Sequence, residues 1–207
     1  MKIKICGMKY LENMHGISAL NPDYMGFIFY RKSPRFYDAE KVDLPSDIQK
    51  VGVFVNEMIS EIQNIIQKYN LDVVQFHGDE SPEFCENFKN INPETEVWKA
   101  FQIDENSDFE VLKSYDSVDK FLFDTKDRNY GGNGIKFDWK MLENYQSEKK
   151  FILSGGISLD DISKIREVKY KVPQISTVDI NSRFEIKPGW KDVEKVEKFY
   201  EQLKLIR

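Results

Sequence analysis

KVGVFVNEMISEIQNIIQKY, residues 50–69, decides the fold. Its first six residues form a short run rich in valine and phenylalanine, as a strand buried on both faces should be. The segment Glu57–Tyr69 then changes period. Ile59, Ile62, Ile65 and Ile66 fall on one stripe with charges opposite, which is the pattern of a helix packed on one side. A strand followed directly by an amphipathic helix is one βα unit.

The unit recurs on both sides of this stretch. Strand-like runs are expected at Lys2–Cys6, Tyr24–Phe29, Lys50–Val55, Asp72–Phe76, Glu96–Phe101, Lys120–Asp124, Phe151–Ser154 and Gln174–Asp179. Helical runs follow at Lys9–Leu20, Asp38–Asp47, Glu57–Tyr69, from Ser81-Pro82-Glu83, and at Asp108–Tyr115, Asp138–Tyr145, Ser158–Val168 and Lys191–Leu205. Ser81-Pro82-Glu83 has the order of cap, first helical proline and early acid. Eight units of about 26 residues fit an α/β fold of the (β/α)8 TIM-barrel type, as a single domain over residues 1–207. An open doubly wound sheet also alternates, but the first strand runs into CGMK and lacks GxGxxG, which disfavours a dinucleotide fold.

The totals remove other classes. The chain has 207 residues, 41% hydrophobic and 31% charged, with a net charge of −5 and its cations scattered among acids. That balance argues against a nucleic-acid partner, which calls for clustered positive charge. No apolar run approaches the roughly 20 residues of a membrane helix, so no membrane partner is expected. A strand from Lys2 leaves no room for a leader, and Cys6 and Cys85 suggest neither a disulfide framework nor zinc. The expectation is a reduced, cytoplasmic protein without metal or cofactor.

In a parallel barrel the carboxyl ends of the strands converge on one face. Cys6-Gly7 ends the first strand, Ser33-Pro34-Arg35 follows the second, and Asn56 the third. Gln75 and His77-Gly78 end the fourth, Asp124 the sixth, Ser154-Gly155-Gly156 the seventh, and Asp179, Asn181 and Ser182 the eighth. Taken singly, Cys6 reads as a small buried hydrophobe, Asp124 as a turn cap, and His77 and Arg35 as loop residues. Their shared rim argues for a site. Cys85 reads as helix filler, His15 as a surface residue, and Glu194–Lys198 as a solvated helix face.

Glycines at Gly155 and Gly156 let backbone N–H groups turn toward an anion, and phosphate sites after strands seven and eight recur in this barrel. A thiol near neutrality can act as a base and a shielded carboxylic acid as an acid. Cys6 and Asp124, from strands one and six, therefore form a candidate proton pair for an isomerisation of a phosphorylated sugar.

KICGM, SPR, VGVFVN, VQFHGDES, the FDT–GGNG–FDW series, LSGGI and VDINSRFE–PGWKD together resemble the phosphoribosylanthranilate isomerase family over nearly all of Lys2–Asp192. The resemblance implies an Amadori rearrangement of N-(5-phosphoribosyl)anthranilate in tryptophan biosynthesis, a small phosphosugar as the molecule bound, and a monomer. By the same resemblance Asp124 is the general acid on the ribose ring oxygen and Cys6 the base at C2′. It also assigns Arg35 to the anthranilate carboxylate and His77 and Asp179 to the sugar. Gly155, Gly156, Asn181 and Ser182 are assigned to the phosphate, and Gly131–Gly134 to a lid. Arg183 stands where the family's VDxSSGVE pattern has glycine, with its charge directed either to the phosphate or outward. Two rivals stay open on sequence: an indole-glycerol-phosphate lyase on the same barrel, and a catalytically silent barrel that binds a metabolite or a protein.

Overall fold

The computed structural model describes residues 1–42, 44–104, 106–125 and 139–206. Eight parallel strands close into a barrel in chain order: β1 (Lys2–Ile5), β2 (Tyr24–Ile28), β3 (Gln49–Phe54), β4 (Val73–Phe76), β5 (Glu96–Ile103), β6 (Lys120–Thr125), β7 (Phe151–Ser154) and β8 (Ile175–Ile180). Closure pairs β1 with β8, and the register sets Lys4 beside Asp179.

The period-2 alternation of each strand sorts its side chains into two layers. One parity points inward, where Tyr24, Val51, Val73, Trp98, Ala100, Leu122 and Ile152 fill the barrel. The other parity, including Ile3, Ile5, Phe27, Phe54, Phe76, Phe123 and Val178, packs outward in a continuous layer with the helices. Phe123 and Phe151 meet with ring centroids 4.6 Å apart, and Tyr145 covers both. Each such side chain contributes about 1.5–3 kcal/mol when fully buried.

The helices that cover the barrel are α1 (Leu11–Ser18), α2 (Ile59–Tyr69), α3 (Pro82–Ile91), α4 (Ile162–Lys171) and α5 (Val193–Lys204). The Ser81 hydroxyl caps α3 by accepting the Phe84 N–H at 3.2 Å, as its sequence predicts. The stretch 38–47 has no helix among its described residues. Pro45 removes one donor and disfavours a helical Leu44. The Tyr37 and Tyr69 hydroxyls instead bind the carbonyls of Lys41 and Ala39. After β5 and β6 the expected helices are 3-10 turns, Phe109–Ser114 and Trp139–Asn144. Leu112 is buried in the first, and Trp139 and Leu142, buried in the second, fit the three-residue repeat of that helix. A hairpin of β9 (Glu185–Lys187) and β10 (Trp190–Lys191) precedes α5, where the sequence reading began the helix at Lys191. Its turn is Pro188-Gly189, with Gly189 at φ +82°. Gly131–Gly134 lies outside the described residues.

Candidate active site

The inward parity carries past the packed interior to the carboxyl ends of the strands, where it walls a cavity of about 310 Å3. Cys6, Gln75, His77, Asp124, Ser154 and Asp179 reach it from β1, β4, β6, β7 and β8, or from the residue that follows the strand. Gly155, Gly156, Asn181, Ser182 and Arg183 complete the wall on the β7–β8 side. Eight of the nine site residues expected from sequence thus share one space. Among the described residues, no group of three or more His, Cys, Asp or Glu side chains is arranged to hold a metal ion.

Arg35 is the exception, because it is not on this wall. Its guanidinium is bound in bidentate fashion by Glu185 in β9, with Nε 2.9 and 3.0 Å from the two carboxylate oxygens. Lys191, fully buried, donates from Nζ to Glu185 Oε1 and to Asn181 Oδ1, each at 2.7 Å. Burial pushes Glu185 upward, but the hydrogen bonds from Arg35 and Lys191 outweigh it and hold the carboxyl below its ordinary value. Burial keeps Lys191 below the ordinary lysine value despite Glu185. Gly7, at φ +71°, closes this corner: a Cβ there would lie 2.7 Å from Arg35 Cδ and 2.8 Å from Asn181 Oδ1.

On the opposite wall the Gln75 amide nitrogen lies 2.8 Å from His77 Nδ1. With the amide nitrogen as donor, Nδ1 accepts and the ring proton sits on Nε2, which is 3.7 Å from Asp124 Oδ2. His77 and Asp124 are each about a third exposed, at 32% and 31%. Glu80 fixes this wall from behind. Its carboxylate accepts the N–H groups of Asn56 and Gly78 at 2.8 and 2.9 Å and pairs with buried Lys99 at 3.3 Å.

Beneath the cavity floor lies a third cluster. Lys4, wholly buried, donates to Asp179 Oδ2 at 2.9 Å. Burial pushes its pKa down, but Asp179 and Cys6 outweigh this and hold it above the ordinary lysine value. Burial raises both Asp179 and the Cys6 thiol, and in each case Lys4 pulls back. Among the described residues, two buried acceptors have no partner, Asp179 Oδ1 and Gln75 Oε1, and both residues line the cavity. An unpaired buried acceptor costs about 1–3 kcal/mol.

Sequence reasoning passed over Lys4, Glu80, Glu185 and Lys191. Lys4 had a signal, since in KIKIC it shares the inward parity of Cys6. The other three had none, because their partners lie on other elements. Arg183, left open on sequence, lines the cavity.

A sequence profile of the N-(5'phosphoribosyl)anthranilate (PRA) isomerase family matches residues 3–202. An N-(5'-phosphoribosyl)anthranilate isomerase of Parabacteroides distasonis is 40% identical over 210 residues, covering 98% of this chain and 93% of that protein. The phosphoribosyl anthranilate isomerase of Thermotoga maritima superposes with a TM-score of 0.84 at 33% identity, covering 99% and 98% of the two chains. A phosphoribosyl anthranilate isomerase in complex with reduced 1-(o-carboxyphenylamino)-1-deoxyribulose 5-phosphate matches with a TM-score of 0.82 at 30% identity, covering 99% and 98%.

Proposed function

Because the chain belongs to the phosphoribosylanthranilate isomerase family, an enzyme family of tryptophan biosynthesis, we propose that Asp124 and Cys6 are its acid and base. Family membership also closes the two rival readings that the sequence left open. The observation that carries the proposal is that a thiol from β1 and a carboxyl from β6 line one cavity, with two glycines of positive φ on the same wall.

Asp124 gives its proton to the ribose ring oxygen, the C1′–O bond breaks, and the anthranilate nitrogen lone pair forms the C1′=N bond. The Cys6 thiolate then takes the C2′ proton, the C–H electrons make the C1′–C2′ double bond of an enolamine, and the C1′=N π pair returns to the anthranilate nitrogen. Tautomerisation of that enol gives the 1-deoxyribulose product. The electron sink is the substrate's own iminium nitrogen, so the rearrangement is redox-neutral overall. His77 steadies Asp124 through Nε2, and the unpartnered oxygens of Gln75 and Asp179 receive sugar hydroxyls. Gly155 and Gly156 stand at φ +98° and +62°, conformations that turn backbone donors toward the cavity, where Asn181 and Ser182 add side-chain groups for the phosphate. Arg183 supplies a cation on the same side. Arg35 is assigned to the anthranilate carboxylate through Nη1, because Nε and Nη2 of its guanidinium are engaged by Glu185.

The loss of phosphoribosylanthranilate fluorescence tests the roles. Cys6→Ser and Asp124→Asn should each lower kcat by about 100-fold or more, in line with general acid–base contributions, with product-analogue binding within a few-fold of the parent. Turnover of either variant at the parental rate refutes the assignment.

A further inference from the structure

Lys4 lies inside the barrel with no part of its side chain exposed, where a methionine of similar length would pack without charge. A buried ammonium carries a desolvation cost of several kcal/mol, so its presence calls for a reason beyond filling space. Two residues further along, just past the end of β1 and on the same parity, stands Cys6. Gly26 on the neighbouring strand shows how close the two are. A Cβ added there would lie 2.9 Å from the Cys6 sulfur and 3.1 Å from Lys4 Cε, so both side chains lean over the same missing side chain.

We propose that Lys4 is a positioning residue for the reaction: its ammonium, anchored by Asp179, is the counter-charge that lets Cys6 exist as a thiolate inside the barrel. The inference rests on Cys6 being the base. Among the described residues, the other charged groups acting on Cys6 are Asp179 from β8, Lys191 from β10 and Arg35 from the loop after β2. Lys191 and Arg35 are both committed to Glu185, which offsets their charge. Among the described residues, Lys4 pairs with the carboxylate of Asp179, and the Cys6 sulfur is the second group acting on its ammonium. The two oxygens of Asp179 differ: Oδ2 holds Lys4 in place, and Oδ1 is buried with no partner among the described residues. Burial by itself drives the thiol upward, and Lys4 is the largest influence acting against it.

The test is the pH dependence of Cys6 alkylation by iodoacetamide, measured in a Cys85→Ala background. The Cys85 thiol is fully buried and pushed up to about 12, so it is unsuited as a reporter. Lys4→Met should move the apparent thiol pKa up by about one unit or more, because an opposite charge at this range shifts a pKa by about 1–3 units. Alkylation at pH 7 should then slow about tenfold, and kcat should fall by a similar factor with KM within about threefold. Asp179→Asn removes a negative neighbour and should move the thiol pKa the other way. A residue serving only to fill space would not give shifts of opposite sign. A folded Lys4→Met protein with the parental alkylation profile overturns the proposal. If that variant does not fold, the sign from Asp179→Asn decides, and an upward or absent shift overturns it. A Cys6→Ser enzyme with parental turnover would sink the base assignment instead, whatever the alkylation profiles show.

Discussion

Replacing Glu185 by glutamine removes the negative centre that two cations share. The parent carboxylate receives Arg35 through both oxygens, Lys191 Nζ at 2.7 Å and the Gly189 N–H at 3.0 Å, with only 4% of its side chain exposed. Glutamine keeps one acceptor but turns an NH2 group toward a cation. Arg35, 20% exposed, can relax toward solvent; Lys191, at 0%, cannot. Breaking a buried pair by removing one partner costs about 3–5 kcal/mol, a large share of a total stability of about 5–15 kcal/mol. With a urea m-value of about 2 kcal/mol/M, the midpoint should fall by roughly 1.5–2.5 M at pH 7. The pH dependence has a definite sign. Glu185 has a depressed folded-state pKa, so its contribution is fully present above the unfolded value of about 4.3 and is lost as pH falls through the folded value. The gap between parent and variant should therefore narrow on acidification below about pH 4. Adding Lys191→Met to the variant should recover part of the loss, because no buried cation is then left unpaired. A midpoint shift below about 0.5 M at pH 7, or a gap that widens on acidification, refutes this account.

Two other perturbations separate strain from contact and test the rear wall. Gly7→Ala and Gly156→Ala both place a side chain at positive φ, at a cost of about 1–2 kcal/mol, but only Gly7 also faces close neighbours. Thermal melts should show Gly7→Ala as the more destabilised, with a raised KM, and equal losses would contradict the crowding at Arg35 and Asn181. Glu80→Gln leaves Lys99, itself 3% exposed, without its carboxylate, and weakens the hold on the Asn56 and Gly78 N–H groups. Denaturant unfolding should show a loss of about 3 kcal/mol, and kinetics a lower kcat as His77 loosens beside Asp124. A variant with parental kcat would show that Glu80 has no part in positioning His77.

Much of the barrel was legible because strand parity and helical period are local. Each expected strand overlaps an observed one, and Phe151–Ser154 coincides with β7. The errors fall where local pattern was weak. The stretch 38–47 has helix-compatible spacing, but Pro45 and the two tyrosine hydroxyls give its backbone other partners. The segments after β5 and β6 are six-residue 3-10 turns, and in the second the buried Trp139 and Leu142 stand three apart, the repeat of that helix.

The sequence by itself determined which side chains reach the mouth of the barrel, because alternation within one strand fixes the inward face of Cys6, His77, Asp124 and Asp179. Tertiary structure alone decided how the charges pair. Arg35 meets Glu185 across 150 positions, and Lys4 meets Asp179 across 175. With 30 cations and 35 anions in the chain, no local period selects those partners. Closure of β1 onto β8 does so, by bringing remote residues within hydrogen-bond reach where water cannot compete.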